Sequence, residues 1–296
     1  MQRTTLNYLA GYKVLAVCAL LCVLPGLVAA ADLQVPATVQ AGQGFSISAE
    51  GSGQATFYLI GPDHVVKRTV NLGGDLQVQS SDVHAAGRYQ IILCGSPCTS
   101  TSFEVKAAQP AHLSFFLHPS RVPVSTHDSI DATAFVFDQY FNLDLAAAAV
   151  DFRVTPASGA GFSRQVPARH GVSTIRMDST QHEGPVHVTA ALGKVEEARV
   201  VQQVAAEACG LRMKAFPGAN NTIIVETDPV RDCSGNALPD GTVVSFTQVD
   251  KAGKSTVDTP IKKGIARAQL SVRGSAQITV ACGVVLGNEL ALSGRL

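Results

Sequence analysis

A chain of 296 residues, 46% hydrophobic and only 16% charged, can fill the cores of two or three β-sandwiches of about 100 residues each. Its 23 basic and 23 acidic residues balance and form no run of one sign. The sequence therefore lacks the basic face with which proteins bind nucleic acids or anionic membrane surfaces, and neither is expected as a partner.

The first 31 residues are typical of a secretory signal peptide. Arg3 and Lys13 supply positive charge, the stretch 14–28 is almost entirely apolar, and the small residues 29–31 precede Asp32. An uncleaved membrane anchor is the alternative, but the apolar stretch is short for a span of about 20 residues. We expect cleavage before Asp32 and no membrane span afterwards, which predicts an exported protein in the periplasm, on the cell surface or outside the cell.

Beyond residue 32 the sequence consists of short strand patterns with almost no helical periodicity. The segment 45–49 alternates apolar and polar residues, and the segments 55–59, 89–93 and 222–225 are rich in strand-forming residues. Turn residues recur about every 8–12 positions, as they do in β-sandwiches. The sequence therefore predicts an all-β fold of tandem immunoglobulin-like (Ig-like) β-sandwich domains after the signal peptide.

An internal repeat relates the middle of the chain to its C-terminal part. The segment 138–152 begins with Asp-x-x-x-Asn and ends with Val-x-Phe, and the segment 232–246 has the same pattern at the same spacing. Glycine-led strand patterns then follow in the same order, over 171–193 in the first copy and over 264–283 in the second. Agreement of several blocks in order and spacing indicates two homologous domains.

Short joins near 107–110 and 205–208 divide the mature chain into three predicted domains, 32–107, 108–205 and 206–296, of which the first is the most divergent. Because both joins are short, we expect the domains to abut and not to hang on flexible tethers.

The repeated turn contains the candidate residues Asp138, Asn142, Asp232, Gly235 and Asn236. Asp and Asn side chains bond to nearby backbone groups, and Asn or Gly tolerates a left-handed backbone, so a structural turn is the preferred interpretation. Calcium binding by the two aspartates is the alternative, although each turn offers few of the six to eight oxygens that calcium prefers. No metal site is predicted.

The segment 232–246, Asp-Cys-Ser-Gly-Asn-Ala-Leu-Pro-Asp-Gly-Thr-Val-Val-Ser-Phe, resembles the core motif of bacterial Ig-like domains of the invasin and intimin type. The later segment 264–266, Gly-Ile-Ala, fits a strand start of that family. The middle domain departs from the motif, because Phe141 replaces the turn glycine and Leu145 the proline, so its membership rests on the repeat. The resemblance implies a periplasmic or cell-surface location and a role in spacing or adhesion, and it implies no catalytic residue.

Two of the seven cysteines lie in the signal peptide, and the remaining five predict two disulfides in an oxidising compartment. Cys94 and Cys98 can close a small hairpin, with metal binding or free thiols as alternatives. Cys209 can pair with Cys233 or with Cys282. The repeat aligns Cys282 with an apolar inward position of the middle domain, which favours the Cys209–Cys233 bond and leaves Cys282 as a free buried thiol.

No sequence pattern has the chemistry of a catalytic or cofactor-binding site. The eight histidines show no His-Glu-x-x-His or His-x-His spacing, and no Gly-x-Ser-x-Gly motif occurs. We expect a non-enzymatic envelope or cell-surface protein, an Ig-like array that acts as a structural or adhesion scaffold for protein or cell-surface partners. An accessory ligand- or protein-binding module of an envelope assembly or carbohydrate-handling system is the alternative, although the lack of tryptophan argues against sugar binding.

Overall fold

The computed structural model describes residues 33–146, 149–220 and 222–293, and within these ranges it consists of β-strands and one short 3₁₀ turn. The predicted all-β fold of tandem Ig-like sandwiches is confirmed. The predicted signal peptide, 1–31, lies outside the described residues. In the same ranges no helix has the length and apolar character needed to cross a membrane.

The chain divides into two compact units, Met1–Val105 and Lys106–Leu296. The first unit contains a five-stranded sheet of order β1-β7-β6-β3-β4 and a two-stranded sheet, β2-β5. Its core residues alternate along the strands and include Phe57, Leu59, Tyr89 and Ile91, all at most 1% exposed. The strands are β1 (Thr38–Gln40), β2 (Phe45–Ala49), β3 (Gln54–Ile60), β4 (Val65–Asn71), β5 (Gly74–Val78), β6 (Gly87–Cys94) and β7 (Cys98–Lys106), and the 3₁₀ turn is Ser80–Asp82.

The second unit contains two sandwiches, each with its own hydrophobic core. The middle sandwich packs a sheet of order β13-β10-β8 against one of order β12-β11-β14-β15-β9. Its strands are β8 (Pro110–His118), β9 (Arg121–Pro123), β10 (Ile130–Asp138), β11 (Ala149–Pro156), β12 (Phe162–Pro167), β13 (Val172–Met177), β14 (Gly184–Leu192) and β15 (Val195–Val204).

The C-terminal sandwich repeats this arrangement with sheets of order β16-β17-β20 and β19-β18-β21-β22. Its strands are β16 (Met213–Pro217), β17 (Thr222–Thr227), β18 (Val243–Asp250), β19 (Gly253–Pro260), β20 (Arg267–Ser271), β21 (Ala276–Cys282) and β22 (Val285–Leu292). The repeated Val-x-Phe pattern falls on β11 and β18, where Phe152 and Phe246 are both fully buried. The sequence repeat thus corresponds to a repeat of strand order, with β9 as an added edge strand that runs parallel to β15 in the middle sandwich.

Two disulfides join the cysteine pairs that the sequence favours. Cys94 and Cys98, with Cα atoms 4.0 Å apart, connect the end of β6 to the start of β7. Cys209 and Cys233, with Cα atoms 4.6 Å apart, connect the entry of the C-terminal sandwich to the turn after β17. Cys282 is unpaired and 6% exposed, and burial raises the pKa of its thiol, with the Glu207 charge adding to the effect.

We expect replacement of Cys209 and Cys233 by serine to lower the thermal midpoint of the C-terminal sandwich by more than about 10 °C, because opening this loop forfeits about 3 kcal/mol of chain-entropy stabilisation. Cys282→Val should change the midpoint little, because the substitution nearly conserves volume in an apolar site. Differential scanning calorimetry of the three proteins measures both effects. A Cys209–Cys282 peptide in a non-reducing digest would contradict the pairing.

Candidate functional site: the repeated turn and the junction

Two buried aspartates occupy matching places in the middle and C-terminal sandwiches. Asp138 ends β10 and is 0% exposed, and Asp232 follows β17 and is 4% exposed. Each pairs across the sheet with the segment that enters its sandwich, Asp138 with Pro110 and Asp232 with Ala208. The aspartates therefore stand where each sandwich meets the chain that leads into it.

Each carboxylate closes its own turn by accepting hydrogen bonds. In the middle sandwich, Oδ1 of Asp138 accepts the backbone N–H groups of Tyr140 at 2.8 Å and Asn142 at 2.9 Å, and Oδ2 accepts Nδ2 of Asn142 at 2.8 Å. In the C-terminal sandwich, Oδ1 of Asp232 accepts the N–H groups of Ser234 at 2.9 Å and Asn236 at 2.8 Å. This is the local bonding that the sequence predicts for an Asp-x-x-x-Asn turn.

The same carboxylates also bind the incoming chain. Oδ2 of Asp138 accepts the N–H of Ala108 at 2.8 Å, and Oδ2 of Asp232 accepts the N–H of Ala206 at 3.0 Å. The sequence predicts only the local turn for these aspartates and does not predict this second role. The sequence contains one indication of this role, because each aspartate follows a short join by a similar number of residues. The hydrogen bond itself cannot be predicted from residue types, because its donor is a backbone N–H group.

For both carboxyl groups, hydrogen bonding lowers the pKa by more than burial raises it. Burial alone would raise the pKa of Asp232, but bonds from the Asn236 side chain and from the backbone of Ala206, Asn236 and Ser234 lower it below its usual 3.8. The pKa of Asp138 is lowered against burial in the same way, by Asn142, Ala108 and Tyr140. Because both oxygens of each group face N–H donors, the turns present a donor-rich surrounding that suits a carboxylate and not a calcium ion.

The two turns differ at one position. Gly235 has a φ of 88°, and Phe141 stands in its place in the middle sandwich with a φ of 62°. A bulky residue rarely adopts this left-handed backbone, so Phe141 carries strain that glycine avoids. The Phe141 ring is 71% exposed and stacks on His112, with ring centroids 4.8 Å apart.

The turn of the C-terminal sandwich also contacts the middle sandwich, and we call this contact the junction. Asn236 donates through Nδ2 to the carbonyl of Gln181 at 2.8 Å and accepts the N–H of Glu183 at 3.2 Å. The hydroxyl groups of Ser125 and Ser234 lie 2.7 Å apart. The side chain of Asn236 thus binds Asp232 of its own turn and the backbone of the neighbouring sandwich at once.

The fold brings together two groups of histidine and aspartate that no sequence motif predicts. Asp63 and His64 lie next to His84 in the first unit, and His127 and Asp128 lie next to Asp178 in the middle sandwich. The partners are 20 and 50 residues apart in the chain, so no short spacing motif marks them.

No known protein family and no curated protein matches the chain in sequence. Among solved structures, FdeC, an Escherichia coli adhesin, matches 88% of this chain and 95% of that chain with a TM-score of 0.59 and 12% identity. Invasin, a bacterial integrin-binding protein, matches with a TM-score of 0.48 and 12% identity over 87% of this chain and 57% of that chain. A titin fragment matches with a TM-score of 0.43 and 11% identity over 89% of this chain and 97% of the titin fragment. At such identity the FdeC match shows the fold alone, and at that level it confirms the resemblance to the Ig-like modules of bacterial adhesins.

We expect Asp232→Asn to lower the free energy of unfolding of the C-terminal sandwich by about 2–4 kcal/mol, because an amide cannot accept all the N–H bonds that the buried carboxylate takes. The folded pKa of Asp232 is depressed, so its contribution is present above the usual value of 3.8 and is lost as the pH falls through the folded pKa. Wild-type stability should therefore fall below about pH 4 more steeply than that of the variant.

Urea unfolding between neutral pH and acid checks this expectation, with the exposed Asp240 in the same turn region as the control. Asp240→Asn should leave stability and its pH dependence almost unchanged. Equal effects of the two substitutions would show that the buried hydrogen bonds of Asp232 do not stabilise the C-terminal sandwich more than the exposed Asp240 side chain does.

We expect Asn236→Ala to loosen the orientation of the two sandwiches of the second unit, since it removes the bonds to Gln181 and Glu183. Residual dipolar couplings should then require separate alignment for each sandwich. The control is Asn288→Ala, because Asn288 makes two backbone bonds to Met213 inside the C-terminal sandwich, at 2.7 and 3.1 Å. That variant should lose stability and keep the orientation, and loss of orientation in both variants would contradict the role of the junction.

Proposed function

We propose that the chain is a non-enzymatic, exported envelope or cell-surface protein in which an array of Ig-like domains forms a structural or adhesion scaffold. The array comprises the domains 32–107, 108–205 and 206–296, preceded by a cleaved signal peptide at 1–31. The partners are proteins or other molecules of a cell surface.

The junction is the observation that supports this proposal most directly. A scaffold must hold successive domains in a fixed relation, and here one asparagine, Asn236, bonds to both sandwiches of the second unit. The buried Asp232 holds that asparagine in place and also fixes the entering chain through Ala206. A flexible linker would need none of these bonds.

Adhesion also requires side chains that are available for contact. On the middle sandwich, Phe116 is 61% exposed beside Phe135, and Phe141 is 71% exposed on its strained turn. Exposed aromatic side chains of this kind are enriched where proteins contact partners. The fold is shared with FdeC, itself an adhesin, which agrees with such a role.

The proposal is tested by producing the full chain in a bacterial host with and without the Asn236→Ala substitution. We expect the wild-type protein in the envelope or the medium, with its N-terminus at Asp32 by intact mass, and we expect it to increase attachment of the cells to a surface or to other cells. The variant should be exported equally and should support less attachment, whereas Asn288→Ala should behave like wild type.

Two results would overturn the proposal. One is the full 296-residue mass in the cytosol. The other is turnover of a substrate by the purified mature protein in a panel of hydrolase assays, which would make the scaffold an enzyme.

A further inference from the structure

Asp63, His64 and His84 form a compact polar group at one end of the first unit. Asp63 and His64 lie on the turn between β3 and β4, and His84 lies on the connection from β5 to β6, just after the 3₁₀ turn. The turn belongs to the five-stranded sheet, whereas the connection leaves the two-stranded sheet, so the group brings together two separate parts of the unit.

One nitrogen of each imidazole lies against the Asp63 carboxylate. Oδ1 of Asp63 is 2.7 Å from Nδ1 of His64, and Oδ2 is 3.0 Å from Nε2 of His84. The two imidazole rings are stacked, with centroids 5.1 Å apart and an angle of 11° between their planes. The possible ligand atoms of all three residues lie within 4.8 Å of one another.

The hydrogen bonding of His84 shows which of its two ring nitrogens carries the proton. Nδ1 of His84 is 2.9 Å from the carbonyl oxygen of Ser81, and because a carbonyl can only accept, Nδ1 carries the proton. In the neutral ring Nε2 is then an acceptor that faces the oxygen of Asp63. Two acceptors at 3.0 Å repel each other unless a proton or a cation lies between them. A carbonyl that orients a histidine in this way is typical of metal-binding histidines.

A buried hydroxyl beneath the turn gives a second, independent indication. Tyr89 is 0% exposed, and its hydroxyl has no hydrogen-bond partner among the described residues that meets normal geometry. The Tyr89 ring packs so closely under Gly61 that a Cβ there would come within 2.5 Å of it, which places the phenol under the β3–β4 turn. Its ring centroid is 6.4 Å from that of His64. A buried donor without a partner marks a place where a water or a ligand is to be expected.

The charges agree with this arrangement. The hydrogen bond from His64 lowers the pKa of Asp63 against the effect of desolvation. Burial raises the pKa of Tyr89, the negative charge of Asp63 raises it further, and a backbone contact with Ala85 acts in the opposite direction. Asp63 is therefore ionised at neutral pH and Tyr89 is a neutral donor.

We propose that Asp63, His64 and His84 bind a divalent transition-metal ion such as Zn²⁺ through one carboxylate oxygen and two imidazole nitrogens. Ligands around tetrahedral zinc lie about 3.3 Å apart, because each bond is about 2.0–2.1 Å long. The two nitrogens contact different oxygens of Asp63 at 2.7 and 3.0 Å, so binding through one oxygen requires the side chains to turn. All the candidate ligand atoms already lie within 4.8 Å of one another. Three protein ligands leave a position open for water.

The two-histidine set selects among metals. Imidazole suits zinc, copper and nickel, whereas calcium and magnesium prefer oxygen ligands only. The bound ion would connect the β3–β4 turn to the β5–β6 connection. Arg68 on β4 and Asp82 in the 3₁₀ turn already form an ion pair of 2.8 Å between the same two parts of the unit. A metal at this place therefore acts as a clip at the end of the first unit.

The second histidine and aspartate group serves as the internal control. His127 lies 2.7 Å from Asp178 and 3.3 Å from Asp128, but its side chain is 81% exposed. It offers one imidazole and two carboxylates, and all three residues are exposed. The exposed group lacks a second histidine, and the buried hydroxyl next to it, that of Ser179, donates to the carbonyl of Pro123 at 2.7 Å. We expect no tight metal binding there.

The test is a calorimetric titration of the tag-free mature chain, residues 32–296, with ZnCl₂ near neutral pH. We expect one tight site in the wild-type protein and no heat from CaCl₂. His84→Gln and Asp63→Asn should each weaken zinc binding by at least about 100-fold, since loss even of outer partners costs 10- to 100-fold. His127→Gln removes one histidine elsewhere and should bind zinc as the wild type does.

A second measurement on the unsubstituted protein removes any dependence on how the variants fold. The electron paramagnetic resonance spectrum of one equivalent of Cu²⁺ should show hyperfine coupling to two imidazole nitrogens. The proposal is overturned if wild-type protein binds zinc no more tightly than His84→Gln, if His127→Gln abolishes binding, or if the copper spectrum shows fewer than two nitrogens. Any of these results would show that Asp63, His64 and His84 do not form the metal site.

Discussion

The buried carboxylate of the repeated turn is the constraint on which the second unit depends. A charged group can stay buried only when hydrogen bonds replace its lost hydration, and Asp232 obtains them from its own turn, from Asn236 and from the chain that enters the sandwich. Those bonds place two backbone segments, the turn and the entering chain, relative to one charge. These bonds hold the ends of strands that enclose the core of the C-terminal sandwich. Phe246 on β18 is the largest fully buried side chain of that core.

The repeat explains why the fold could be predicted from the sequence. The Val-x-Phe spacing puts the valine and the phenylalanine of each copy on one face of a strand. In the structure that face points into the core, and Phe152 and Phe246 are both fully buried. Alignment of the copies also placed Cys282 on an inward face and so favoured Cys209–Cys233, the pair that the structure joins. The first unit has no second copy in the chain, and there the sequence supported only a general Ig-like pattern.

The parts that the sequence did not reveal share one physical feature, which is contact between distant backbone groups and side chains. The bonds of Asn236 to Gln181 and Glu183 end on main-chain atoms, which every residue type provides. The group of His64 and His84 depends on a turn and a connection that meet only after two sheets have formed. Short-range spacing finds ligands that lie on one strand or helix, and it does not find ligands that the fold brings together from separate strands.

The difference between the two turns shows how one motif serves different surroundings. In the C-terminal sandwich, glycine at position 235 keeps the turn small and unstrained while Ser234 and Asn236 on either side reach the middle sandwich. In the middle sandwich, Phe141 takes the same left-handed backbone at a cost that is typically about 1 kcal/mol or more for a bulky residue. Such strain persists only when the surrounding structure holds it, and here the bonds to Asp138 hold the backbone while His112 supports the ring. The buried aspartate thus allows the outer residues of the turn to vary, so that the same anchored turn makes a junction in one sandwich and presents an aromatic ring to solvent in the other.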